Sequence, residues 1–380
     1  MRKTKLLKVS SFYPEYLVKL YRDNPHLQTE PYTLQYKRMM DQGIGWADYW
    51  KTNLEKTGEF EVELIIINNE YAQKKWAEEN QIKYNSQNWM NDIFLEQVGM
   101  FNPEILFAND YVFVTPDTIR HIKKRFPEVR KYIGWDGIGI CDTARFNEFN
   151  LMLTCNPYVS DYYIKKGIQS VYIPFAFEQE ILSKIKPNRQ LYDVSFVGSV
   201  TLRNNGHHER LKVLGAVAAN TQVDYWIASF DESLPYLMKN IVKKMKSGLW
   251  SDVRDIFRLW RINHGQLFGM EMYQALADSK ITLNTHINTA LNFGGNIRLW
   301  EATGVGTCLV TDWKENMNDL FVPDKEVVTY KTPMEAADKV LYLLKNPNIA
   351  KAIAEAGQKR TLQNYTYEKR LLEIIPALTN

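Results

Sequence analysis

Residues 293–312 read FGGNIRLWEATGVGTCLVTD. Two glycines, Gly294 and Gly295, precede Asn296. A helical pattern covers Asn296–Thr303, and an apolar, β-branched run follows over Thr307–Thr311. Loop, helix and buried strand in such quick succession make the repeating unit of a parallel α/β sheet. The same stretch offers an anion a place to bind. The first N–H groups of a helix are unpaired, its dipole is positive at that end, and glycines allow close approach to the backbone. Asn296 is also a good N-cap, in which case the stretch is only a capped helix.

Arg298 and Glu301 lie three apart and share a helix face. A glutamate one turn into a helix, below a phosphate site, is placed to accept hydrogen bonds from two vicinal ribose hydroxyls. Arg298 pairs either with phosphate or with Glu301 itself.

Working outward, the pattern repeats. Upstream lie a strand DVSFVGS ending at Gly198 and Ser199, a helix His208–Ala219, a strand Val223–Ala228, a helix Gly269–Ala277 and a strand Lys280–Asn284. Downstream, Pro333–Asn364 is helical, and a last helix covers Tyr367–Ile375. The first half carries strand candidates at Leu6–Ser10, Phe60–Ile67, Ile105–Ala108, Lys131–Trp135, Leu151–Thr154 and Val171–Ile173. Amphipathic stretches such as Tyr32–Thr57 and Thr115–Phe126 lie between them. Periodicity lapses over Phe175–Pro187, the expected boundary between two α/β domains. A chain of 380 residues with 45% hydrophobic content fits two cores better than one.

Composition excludes several classes. The formal net charge of +3 is too small to imply a nucleic-acid partner. Cys141, Cys155 and Cys308 are widely spaced, with no CxxC pair, so neither a disulfide framework nor a zinc site is expected. Cys155 and Cys308 sit in apolar runs and read as buried small hydrophobes. The basic amino terminus reaches Tyr and Glu too early for a signal-peptide core, and no run approaches the ~20 apolar residues that span a bilayer. A cytoplasmic protein is expected. The 22 Tyr and 10 Trp suit sugar stacking as well as cores.

Other constellations carry possible chemistry. After Gly198 and Ser199 comes a polar loop of Thr201, Arg203, Asn204, Asn205, Gly206, His207 and His208, a second phosphate-binding arrangement with Arg203 or Arg210 as counter-charge. Adjacent histidines rarely face one ion, so no metal is expected there. Thr285, His286, Ile287 and Asn288 follow a strand and could wall the nucleotide or its sugar. In the first half, FNPEILFAND delivers Asn109 and Asp110 at a strand's carboxyl end, where open parallel sheets bind ligands. Asp136, in Trp135-Asp136-Gly137-Ile138-Gly139, is a candidate base toward an acceptor hydroxyl, or else a turn-forming Asp before Gly. Asp110 is a second candidate. The GxG lacks the dinucleotide spacing, and no GxxxxGK[ST], GxSxG or HExxH is present.

One stretch breaks the pattern. Residues 234–263, LPYLMKNIVKKMKSGLWSDVRDIFRLWRIN, mix Lys239, Lys243, Lys244, Lys246, Arg254, Arg258 and Arg261 with Leu237, Ile241, Met245, Trp250, Ile256, Phe257 and Trp260. It reads either as a basic amphipathic insert lying on an anionic membrane or as a core-facing insert with a solvated basic face.

Taken together, GMEMYQALADSKITLNTH, FGGNIRLWEATGVGTCLVTD, VVTY and KRTLQNYTYEKR resemble bacterial GT-B glycosyltransferases of the "glycosyl transferases group 1" type, within them the spore-maturation-protein-like group. The pattern N-x-R-x-x-E-A-x-x-x-G is matched by Asn296, Arg298, Glu301, Ala302 and Gly306. DVSFVGS with its HxER-like helix start is similar to the opening of that family's donor domain. The similarity spans about residues 190–375.

This resemblance implies two Rossmann-like domains with parallel sheets facing across a cleft. It implies an acceptor-side domain over residues 1–180 and a nucleotide-sugar-binding domain over 188–364, with a helix over 365–380 crossing back. It also implies a hexosyltransferase-like enzyme that takes a nucleotide-diphosphate sugar and a glycan or lipid-linked acceptor in cell-surface polysaccharide synthesis, without a cofactor or metal. Glu301 would hold the ribose and the glycine amides the diphosphate. The E-x7-E of related retaining enzymes is broken, because Phe293 stands eight residues before Glu301. A sugar-nucleotide epimerase of the same fold, or a non-catalytic binding module, remains as an alternative.

Overall fold

A computed structural model of the chain describes residues 2–46, 48–137, 139–186, 189–202, 205–230, 234–287 and 292–379. The chain forms two compact units, one of Met1–Pro174 with Tyr367–Asn380 and one of Phe175–Thr366.

The first unit holds a six-stranded sheet of β1 (Thr4–Ser10), β2 (Phe60–Ile66), β3 (Ile105–Ala108), β4 (Lys131–Asp136), β5 (Leu151–Thr154) and β6 (Ser170–Tyr172). Their order is β2-β1-β3-β4-β5-β6, parallel throughout. β3 and β5 are buried at every residue, as a parallel sheet covered by helices on both faces requires. The helix Tyr367–Thr379 belongs to this unit. Its Tyr367 ring lies 5.1 Å from that of Tyr49, and Lys131 Nζ donates to Ala377 O at 2.7 Å.

The second unit holds β7 (Tyr192–Ser199), β8 (Asp224–Ala228), β9 (Ser279–Leu283), β10 (Cys308–Asp312) and β11 (Val328–Tyr330), ordered β11-β10-β9-β7-β8 and again parallel. Each unit is thus built on a parallel α/β sheet, as expected from the sequence.

Local departures have local causes. The amphipathic stretch Tyr32–Thr57 folds as two helices, Tyr32–Asp41 and Tyr49–Lys56. Gly43 and Gly45 stand between them at φ +61° and +59°, a left-handed conformation that ends a helix at little cost only in glycine. The helix expected at Asn296 starts at Arg298, with Ile297 at the cap position. Asn296 does not cap because its side chain is committed elsewhere. Among the described residues no helix is long and apolar enough to cross a membrane.

Candidate functional site

In the second sheet β7 lies between β8 and β9, so the connections leave β7 in opposite directions. Ligands of open α/β sheets bind at the carboxyl ends beside such a switch point. Arg210, in the helix His208–Asn220, is buried there. Its Nη1 donates to Ser199 O at 2.7 Å and its Nη2 to Thr285 O at 2.6 Å, tying the end of β7 to the loop after β9. Burial pulls its pKa down to about 10, with Asp312 and Tyr330 opposing and Arg298 adding to the effect. Gly198 has no room for a side chain, since an added Cβ would fall 2.7 Å from the Phe196 ring.

The loop after β9 is built from buried polar residues. Asn284 and Asn296 exchange side-chain hydrogen bonds at 2.8 and 3.2 Å, which explains why Asn296 is unavailable as a cap. His286 Nδ1 lies 2.7 Å from Asp312 Oδ1, while its Nε2 accepts from the Gly295 N–H at 3.2 Å. An acceptor at Nε2 places the imidazole proton on Nδ1, donating to Asp312. Asp312 also accepts the His286 backbone N–H at 3.0 Å and pairs with Lys314 at 3.2 Å. Although burial opposes it, these partners hold the Asp312 carboxyl well below the usual carboxylate range. The Gly294 N–H donates to Asn316 Oδ1 at 2.7 Å, and Asn316 Nδ2 returns a bond to Gly294 O at 2.8 Å. Both glycine amides read as open to phosphate are therefore engaged within the protein. An anion there would have to displace His286 or Asn316.

In the helix Arg298–Gly304, Glu301 is 3% exposed. Its Oε2 lies 2.7 Å from Arg298 Nη1, and its Oε1 accepts from Tyr273 Oη at 3.3 Å. Arg298 Nη1 also meets Met272 Sδ at 2.8 Å. Glu301 is buried and Arg298 half-buried, so the two do not make a surface ion pair. Burial pushes the Glu301 carboxyl above its ordinary range, against the pull of Arg298 and Tyr273.

His207 Nδ1 accepts the Thr201 N–H at 2.8 Å, and burial, with Arg210, lowers the pKa of this histidine to about 4. Arg203 and Asn288 lie outside the described residues. Among those described, no group of three or more His, Cys, Asp or Glu is gathered to hold a metal ion.

In the first unit the switch point falls between β1 and β3. Half-buried Asp110 sits there, accepting from Ser11 Oγ and from the Val112 N–H at 2.9 Å. Beside it, Asn109 Oδ1 is buried without a hydrogen-bond partner among the described residues. Asp136, at the end of β4, is fully buried and accepts from Tyr163 Oη.

Arg210, His286, Gly294, Gly295 and Asn296 thus gather with Ser199 around the loop after β9, and Arg298 and Glu301 pair on the helix that follows. Tyr273 joins the pair, Asn284, Asp312, Lys314 and Asn316 join the loop contacts, and none of the five had been singled out. Asp312 alone had a readable signal, a carboxylate ending an apolar strand.

The whole chain is similar to solved GT-B structures. Sucrose-phosphate synthase from Thermosynechococcus elongatus aligns over 99% of this chain and 98% of that one, at TM-score 0.58 and 10% identity. HepE from Anabaena, solved in complex with UDP-glucose, aligns over 98% and 100% at 0.57 and 13%. The lipopolysaccharide outer core galactosyltransferase WaaB aligns over 98% and 99% at 0.52 and 14%. At such identities the likeness defines the fold, and the fold is GT-B. Residues 237–375 match the glycosyl transferase-like family, and the Arg298–Glu301 pair lies inside the matched segment. No curated protein sequence matches. The matched segment begins after β8, leaving the loop that follows β7 outside it.

Proposed function

We propose that the protein transfers a glycosyl group from a nucleoside diphosphate sugar to an acceptor hydroxyl. The acceptor oxygen bonds to the anomeric carbon, the bond from that carbon to the diphosphate breaks, the hydroxyl proton is lost, and a nucleoside diphosphate leaves. The observation that carries this reading is the pair of half-buried Arg298 and buried Glu301, 2.7 Å apart, inside the glycosyl transferase-like segment. It stands beside the loop that Asp312, His286 and Asn316 brace.

In this reading Glu301 takes the ribose hydroxyls. Arg298, Arg210 and Lys314 supply positive charge for the leaving diphosphate in place of a resident metal. The HepE structures carry UDP-glucose, UDP and glucose, which makes a uridine nucleotide the first donor to try. Of the two carboxylates in the first unit, Asp110 is the more accessible and is the base to test. Asp136 is enclosed and already bonded to Tyr163. The acceptor class is a glycan or lipid-linked saccharide of the cell surface, met on the cytoplasmic side.

The test is a thermal-shift screen of nucleotides and nucleotide sugars, since a ligand of the native state raises its melting temperature by mass action. Nucleoside diphosphate release is then measured with and without saccharide acceptors. Acceptor-dependent release is expected. Absence of any nucleotide-induced shift would sink the reading, and turnover of the sugar nucleotide without acceptor would turn it into an epimerase.

A further inference from the structure

Residues 234–263 fold as two helices, Leu234–Lys246 and Trp250–Ile262. Each already has a core-facing stripe. Leu237 and Ile241 on the first, and Val253, Ile256 and Leu259 on the second, are buried in the hydrophobic core of the second unit. That stripe accounts for the amphipathic pattern of an ordinary packed helix. It leaves a second apolar set unexplained.

Met238, Val242, Met245 and Leu249 are exposed and follow one another at spacings of four, three and four, so they share one side of the first helix and its exit. On the second helix Trp250, Phe257 and Trp260 are exposed at spacings of seven and three, with Trp250 at 60%. Soluble surfaces rarely gather so much large apolar area without a use for it.

Among the described residues of the two helices, the exposed charges have one sign. Lys239, Lys243 and Lys246 run beside the first apolar row at the same spacing, and Arg254 and Arg261 flank Phe257, all five exposed. The two carboxylates of the segment, Asp252 and Asp255, are buried. Asp252 is spent on Lys212 and on Lys244, the latter at 2.6 Å, and Asp255 bonds Arg258 at 3.1 Å. Through Lys212 these carboxylates tie the second helix to the domain, and the exposed charges among the described residues of the two helices are cations. A second copy of this face would bring five like charges against five. An anionic lipid surface matches both the charge and the tryptophan-rich apolar rows, whose rings settle at the headgroup level.

We infer that the exposed face of residues 238–261 docks on anionic membrane lipid, its apolar rows entering the headgroup boundary and its lysines and arginines meeting the lipid charge. The inference stands apart from the proposed reaction, since it uses none of the nucleotide-site residues.

The experiment sediments the full chain with vesicles of phosphatidylcholine alone and of phosphatidylcholine with phosphatidylglycerol at 7:3. Binding to the anionic vesicles is expected, weakened by salt because the contacts are solvent-exposed. Lys239→Gln, Lys243→Gln and Lys246→Gln together are expected to weaken it by roughly 100-fold at low salt. Trp250→Ser with Trp260→Ser is expected to weaken binding while keeping its salt dependence. These side chains are exposed, so the melting temperature and any nucleotide-induced shift should match those of the parent protein. Failure of the parent to bind, equal binding to both vesicle types, or variants binding like the parent would each overturn the inference. A dimer dissociated by the tryptophan substitutions would overturn it too, by assigning the face to a second copy.

Discussion

If Glu301 receives the ribose, its removal and removal of the ribose hydroxyls should be redundant. A hydrogen bond to a charged group is worth about 1.5–3 kcal/mol, so two of them promise some 3 kcal/mol after competition with water, or roughly 100-fold in affinity. A bare Glu301→Ala measurement would confound this with damage. The carboxylate lies 2.7 Å from Arg298, whose side chain is only 14% exposed, and a buried cation stripped of its anion costs about 3 kcal/mol.

A cycle separates the two effects. Titration calorimetry of the parent with UDP and with 2′,3′-dideoxy-UDP should give affinities roughly 100-fold apart. In Glu301→Ala both ligands should bind alike, because structural damage is common to both arms and cancels. A variant that still distinguishes the two ligands refutes the assignment, as does a parent that never did. The pH dependence adds an independent check. Burial raises the Glu301 carboxyl, and its protonated form cannot accept from both hydroxyls. UDP affinity should therefore begin to fall at a pH above the ordinary carboxylate range. Stability moves the other way. The charged form is the one burial penalises, so proton uptake by Glu301 favours the fold as pH drops through that raised value.

Two further outcomes follow from titratable groups in the strands. Lys8 is 1% exposed, and its pKa is lowered by burial, against Asp48, from 10.5 to about 7. The unfolded chain binds the extra proton between those values, so Lys8 makes stability climb from pH 7 to 10.5, by at most about 5 kcal/mol. Lys8→Met should be more stable than the parent below pH 7 and should lack that climb, as read from hydrogen exchange of β1 amides; parallel profiles would refute it. Asp312 is the opposite case, a carboxyl held low by His286 and Lys314 despite burial, so its contribution is present above the ordinary Asp value and fades as pH falls below it. Asp312→Asn should cost the second unit about 2 kcal/mol at pH 7 in thermal denaturation and reduce its sensitivity to acid, whereas an unchanged acid limb would argue against the assignment.

How far the sequence could be read depends on how local each feature is. β3, β5 and β10 were legible because a strand buried on both faces must be a continuous apolar run, whatever it pairs with. The Arg298–Glu301 pair was legible because a helix brings residues three apart together. β11 was not read as a strand, since what defines it is its pairing with β10. The partners of the glycine amides were hidden for the same reason. His286 is nine residues before Gly295 and Asn316 is 22 after Gly294, and both reach the loop only because β9 and β10 are neighbours.

This hidden layer changes what nucleotide binding must involve. The Gly295 N–H cannot serve a diphosphate while it serves His286 Nε2, so the glycine-amide contact implied by the family resemblance requires that bond to break. His286 would keep its Nδ1–H on Asp312, and its released Nε2 would have to accept from a ligand hydroxyl or take up a proton to face the diphosphate. The ¹⁵N resonance of Nε2, followed as UDP is added, should therefore shift from an amide-bonded to a ligand-facing value, with the Gly295 amide shifting in step. If both resonances stay in place while UDP binds, the amide pair is scaffolding, and the diphosphate is held by side chains alone.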